Sequence, residues 1–178
     1  GNRLARVTTF LVDVMTGIPS IVAGLFALAL LVALFGPAVR VGIGGSIALS
    51  LLMIPTVVRS AEEMLRLVPS DLREASYALG VPKWRTIVKV VLPTAFGGIV
   101  TGIMLAISRV IGETAPLLVV VGATDSVNMN LFGGRMMTLP VYIFQQYSSP
   151  GVPAFGTDGP PPGYARAWGA ALVLIAIV

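Results

Sequence analysis

The 178-residue sequence contains no cysteine and no histidine. The first absence excludes disulfides and thiolate metal sites. The second removes the commonest metal ligand and the usual proton relay. Charge is scarce too: 11% of the residues are Asp, Glu, Lys or Arg, against about 25% in an ordinary soluble domain. No G-x-x-x-x-G-K-[ST] segment occurs, so the chain does not bind ATP through a P-loop. Gly1-Asn2-Arg3 opens no secretory signal pattern. The chain lacks an initiator Met and stops inside the apolar run GAALVLIAIV, so it is expected to be a portion of a longer protein.

What the sequence has in abundance is apolar surface: 56% hydrophobic residues and a mean hydropathy of +0.91. Crossing the hydrocarbon core of a bilayer takes about 20 apolar residues. Residues 10–35, 41–58 and 94–122 are candidate spans, and a fourth runs from 164 to the end. The expectation is therefore an all-α, polytopic transmembrane helix bundle, one membrane domain over residues 1–178 with about four spans. Gly36-Pro37 should end the first span. Pro19 and Pro55 should kink the spans that contain them. Asp13 reads as an interfacial residue at the edge of the first span.

Two connections are long. Residues 59–93 read as helical and highly charged. Residues 123–163 are rich in Gly, Pro, Ser and Asn, carry GTDGPPPG near their end, and contain one apolar patch, MMTLPVYIFQQY, expected to dip into the membrane or lie on its surface. If spans alternate in direction, Arg3, Arg6, Arg59, Arg66, Arg73, Lys83, Arg85 and Lys89 share one side and Arg40, Arg135 and Arg166 the other. That asymmetry places residues 59–93 in the cytoplasm and 123–163 outside. It also accounts for the net charge of +4 without nucleic acid as a partner; the partner implied is membrane lipid.

Within the cytoplasmic connection, Pro69-Ser70-Asp71 marks a helix start, with Ser70 able to cap and Asp71 suited to the positive end. Gly80 can close that helix in the left-handed conformation, and Pro82 fits the first turn of a second one. Glu74-Ala75-Ser76, then Gly80, then Val90-x-Leu92-Pro93 resembles the EAA signature of ABC-importer permeases. Ser76 replaces the usual second Ala and Val90 the usual Ile. The resemblance implies that this helix docks on a separate cytoplasmic ATPase, with Glu74, Ala75, Ser76, Gly80, Leu92 and Pro93 as coupling residues and small side chains allowing close approach. ATP and Mg would be held by that partner; this chain would bind no cofactor.

The segment ISRVIGETAPLL poses a separate question, because charge inside a bilayer is costly. On a wheel of 100° per residue, residues 94–113 divide into two faces. Thr94, Gly97, Gly98, Thr101, Gly102, Ser108, Arg109, Gly112 and Glu113 take one, with Ala95 and Leu105. Phe96, Ile99, Val100, Ile103, Met104, Ile107, Val110 and Ile111 take the other. Arg109 and Glu113, four apart, can touch. Two readings stay open. The pair can be a structural ion pair, or Arg109 can lie on the path of an anion with Glu113 balancing it, since a guanidinium forks well onto a tetrahedral oxyanion. Ser108 and Thr114 flank them as further pathway candidates.

SRVIGETAPLL, GIPSIVAGL, MTLPVYIF and AWGAALVLI together resemble the phosphate-specific permease family of type I ABC importers (PstA-type, with the MetI-like fold). That family has six spans, which would place two upstream of Gly1. It implies a second permease subunit (PstC-like), a cytoplasmic ATPase dimer (PstB-like) and an extracytoplasmic phosphate-binding protein (PstS-like), in a bacterial plasma membrane. It also implies phosphate passage at Arg109. Sulfate, molybdate or phosphonate remain alternative substrates. An ATP-independent channel or transporter is a further alternative, although no internal repeat of the kind such transporters carry is visible. A membrane enzyme would need convergent catalytic groups or metal ligands, and no catalytic or metal site is expected.

Overall fold

The computed structural model describes residues 3–37, 39–153 and 159–178, and the first three residues of GTDGPPPG lie outside that set. Every regular element among the described residues is helical: α1 (Arg3–Thr16), α2 (Ser20–Phe35), α3 (Gly42–Leu67), α4 (Ser70–Ala78), α5 (Lys83–Thr86), a π-helical stretch (Ile87–Val91), α6 (Leu92–Ile111), α7 (Ala115–Val120), α8 (Leu139–Ser148) and α9 (Pro162–Ile177).

The predicted spans need correction. Pro19 does not merely kink the first one. Helix α1 stops at Thr16 and α2 begins at Ser20, because Gly17 and Pro19 together deny the backbone a continuous ladder. Pro55, by contrast, sits inside an unbroken 26-residue α3. The third span is displaced toward the N-terminus. Helical structure runs from Lys83 to Ile111, 29 residues, and residues 115–120 form the separate α7. Lys83, Arg85 and Lys89 had argued for a later start, yet charges at the end of a span can sit outside the apolar slab. The fourth, α9, has 16 residues and reaches Ile177, next to the last residue of the sequence. Among the described residues two helices are long and apolar enough to cross a membrane, Gly42–Leu67 and Lys83–Ile111, or up to three if α1 and α2 count as one broken span.

The chain divides into two compact units. The first, residues 1–17 and 53–108, is centred on Val68, Val91 and Ala95, with Met64, Leu65 and Ile99 packed around them. Glycines let α6 approach α3 closely. A Cβ on Gly98 would stand 2.3 Å from Met64 Sδ, and one on Gly102 would stand 2.6 Å from Ser60 Cβ. The buried stripe of α6 is Ala95, Gly102, Ala106 and Val110, continuing Val91 of the π-helical stretch, whereas Thr94, Gly97, Thr101 and Arg109 are exposed. Only part of the small, polar face drawn on the wheel is therefore a packing face.

The second unit, residues 18–52 and 109–178, has its core in Ala27, Leu31, Ala48, Leu117, Val120, Val121 and Val141. Helix α2 lies against α7 through Gly24, where a Cβ would come 2.7 Å from Pro116 Cα. Because that neighbour is backbone, it cannot step aside. Gly24→Ala is expected to destabilise the protein by about 1–3 kcal/mol, read as a lowered Tm of the detergent-solubilised full-length complex. Gly97→Ala serves as the control, since nothing lies within 4 Å of its Cβ position; alanine there should be neutral or mildly stabilising.

Candidate functional site

Helix α4 is built by its punctuation. Pro69 occupies the N-cap position in extended backbone, and Asp71 lies in the first turn. Ser70 is already helical and does not cap: its Oγ lies 3.4 Å from Asp71 Oδ1. The helix closes as the sequence predicts. Gly80 takes φ +74°, its N–H donates to the Tyr77 carbonyl, and the Val81 N–H donates to Ser76. Pro82 caps α5 from just outside it, at φ −66° and ψ 148°, rather than entering its first turn. Arg73 ties α4 back to α3 by donating from Nη2 to the Leu65 carbonyl at 2.8 Å, a cation at the negative end of a helix.

The coupling residues do not share one surface. Glu74, Ala75 and Gly80 are exposed, as are Leu92 and Pro93. Ser76 is not available for docking. It is 7% exposed and its Oγ is 2.8 Å from Thr86 Oγ1, which is fully buried. The hydroxyl that replaces the usual alanine thus faces inward and pins α4 to the start of the 83–111 helix. The π-helical stretch between α5 and α6 precedes Pro93, whose ring and missing N–H disfavour a regular α-turn there. The sequence reading missed Leu72 and Leu79, 41% and 83% exposed. With Ala75 between them they form one apolar stripe on α4, and spacing of three and four residues was the available signal. Trp84, 62% exposed, stands nearby with the Arg85 guanidinium 5.2 Å from its ring centroid.

A charged cluster lies in the same unit. Arg59 on α3 meets Asp13 on α1 at 3.4 Å, and also Glu62 and Glu63 at 3.6 and 3.9 Å; Arg66 meets Glu62 at 2.6 Å. These side chains are mostly well exposed, so the pairs contribute little stability individually. Asp13, read as merely interfacial, has a partner 46 residues along the chain.

Arg109 sits exposed in the last turn of α6, one residue after the half-buried Ser108. Among the described residues neither Arg109 nor Glu113 forms an ion pair. The structural ion pair is therefore not made. The reason is local: α6 ends at Ile111, Gly112 is a turn residue, and Glu113 lies outside the helix, its N–H donating to the Val110 carbonyl at 3.2 Å. The four-residue spacing no longer places the two side chains over each other. Thr114, half-buried, takes the N-cap position of α7 without a side-chain capping bond. A cavity of about 1060 Å³ lies between α1, α3 and α4 beside Glu62, Arg66 and Arg73, and none of the four pathway residues lines it.

The sequence has relatives. A phosphate transport system permease protein PstA 1 of Mycobacterium tuberculosis (strain H37Rv) is 53% identical over 177 residues, 99% of this chain and 54% of that protein. PstA of Mycobacterium leprae is 52% identical over 97% of this chain and 54% of its own length. PstA of Yersinia pestis is 47% identical over 83% of this chain and 49% of its own. The chain thus spans about half the length of these curated relatives. The family described as binding-protein-dependent transport system inner membrane component matches residues 1–178. With every residue inside that match, on an all-helical structure with helices able to span a bilayer, the chain belongs to this family of membrane transport components.

Proposed function

We propose that the chain is part of the permease subunit of an ATP-driven inorganic phosphate importer in the bacterial plasma membrane. The relatives' names supply the substrate. The observation that carries an anion is Arg109: a cation held at the end of an apolar helix, exposed and, among the described residues, without a carboxylate partner. Its role is to bind the oxyanion through a charge-assisted fork, with Ser108, Glu113 and Thr114 bordering the path. Arg109 lies on the same helix as exposed Val100, Met104 and Leu105, an apolar surface that a second permease subunit covers to close the conduit.

Helix α4 is the coupling element. Its Leu72–Ala75–Leu79 stripe seats in a cytoplasmic ATPase dimer, which holds ATP and Mg. The Ser76–Thr86 bond passes the displacement to the helix that ends near Arg109. The basic ends of α3 and α5 mark the cytoplasmic side, so residues 123–163 face outward, toward a phosphate-binding protein. The chain itself performs no catalysis.

The test is radiolabelled phosphate uptake with sulfate as competitor. The full-length chain and its partner subunits are supplied to cells lacking their own high-affinity phosphate permease. Uptake that resists excess sulfate is expected. Uptake abolished by sulfate would reassign the substrate to another oxyanion, and none at all would remove phosphate from the reading.

A further inference from the structure

Two arginines with no part in the proposed path meet over a buried glycine. Gly122 follows α7 in the left-handed conformation, φ +75°, with its N–H donating to the Leu117 carbonyl at 3.2 Å. The Cδ atoms of Arg40 and Arg135 each lie 3.5 Å from where a Cβ on Gly122 would stand. Two such separations from one point bound their mutual distance at about 7 Å. Arg40 is half-buried, and its Nη1 donates to the Val119 carbonyl at 2.5 Å, at the C-terminal end of α7. Arg135 is exposed on a loop fixed by Asn128, whose Nδ2 donates to the Gly133 and Arg135 carbonyls at 2.6 and 3.0 Å.

Among the described residues neither guanidinium forms an ion pair. Asp125, the carboxylate nearest in sequence, is exposed and pairs with neither. Two cations carried on stems whose Cδ atoms come this near repel each other. Val119 occupies one of the five N–H donors of Arg40, and the stems of both side chains pass over a residue with no side chain. A divalent tetrahedral oxyanion offers oxygens to both forks at once and removes the repulsion. A lone carboxylate from a partner protein offers one charge and two oxygens.

We propose that Arg40 and Arg135 form an anion site on the outer side of the membrane, taking phosphate before it reaches Arg109. The site rests on the import reading for its role and on its own geometry for its existence, and the experiment separates the two. In the detergent-solubilised full-length complex, phenylglyoxal modification of each arginine is followed by mass spectrometry with inorganic phosphate or with chloride at equal ionic strength. Phosphate, and not chloride, is expected to slow modification of both. Protection at Arg40 should vanish in Arg135→Gln and persist in Arg135→Lys. Equal protection by chloride, or unchanged protection at Arg40 in Arg135→Gln, overturns the site.

In reconstituted uptake, Arg135→Gln should lower the transport rate roughly tenfold, the loss expected for one charge-assisted hydrogen bond. The half-saturating concentration of the loaded binding protein should not change. A rise in that concentration alone would assign the pair to docking an acidic surface and overturn the anion site. Protection by phosphate in a complex that does not transport it would leave the site standing and the import reading fallen. Transport without protection would do the reverse.

Discussion

Arg109→Ala is expected to abolish phosphate uptake while leaving the complex assembled. Arg109 is exposed, and among the described residues no carboxylate pairs with it. Truncation therefore opens no internal cavity and strands no buried anion, so the cost to folding is small. What disappears is the cation at the end of α6. Hydrogen bonds to charged groups are worth about 1.5–3 kcal/mol each, and a bidentate fork supplies two, so a loss of roughly a hundredfold or more in transport rate follows. Arg109→Lys keeps the charge and loses the planar fork, so it should retain a small, measurable rate. Uptake of radiolabelled phosphate, beside co-purification of the partner subunits, reads both effects. Uptake near the wild-type rate in Arg109→Ala would sink the pathway role.

Ala75→Trp should uncouple transport from ATP hydrolysis. Ala75 is exposed midway along the Leu72–Leu79 stripe of α4, so an indole there extends into solvent over two exposed leucines rather than into the core. The chain's own Tm should stay where it is. The indole instead holds the ATPase surface off the helix. Substrate-stimulated ATP hydrolysis should fall to its basal rate, and the ATPase should be lost from the purified complex at raised salt. Co-purification and stimulated hydrolysis that both match wild type would exclude α4 as the docking element.

The contrast between these two sites explains what could be read from sequence. The α4–Gly80–Pro82 corner was legible because each signal acts within a few residues: a left-handed glycine, a fixed proline φ, an acidic first turn. Sequence also gave the helical class and the apolar character, which composition alone dictates. The helical wheel left the Arg109–Glu113 pair open because a wheel assumes its own continuity, and α6 ends at Ile111, inside the window. The third span was started at residue 94, after the charged helical connection that holds Lys83, Arg85 and Lys89, although one helix continues through both without penalty. Ser76 was assigned outward because small residues suit a docking surface. Its burial depends on Thr86, ten residues on and across a turn. Arg40 and Arg135 lie 95 positions apart, and no local rule brings them to the same glycine.

The hydroxyl pair between Ser76 and Thr86 links the histories of two positions. A buried hydroxyl left alone costs about 1–3 kcal/mol, whereas removing both partners in favour of apolar groups of the same shape is close to neutral. Position 76 can therefore drift to the alanine of the EAA pattern most cheaply when position 86 sheds its hydroxyl as well. A serine transplanted into a relative with an apolar residue at the second position would arrive as an orphan. The two positions are therefore coupled, with Thr86 keeping only a long bond of 3.5 Å to the Pro82 carbonyl when Ser76 loses its hydroxyl, and a change at one is expected to cost least when the other changes with it.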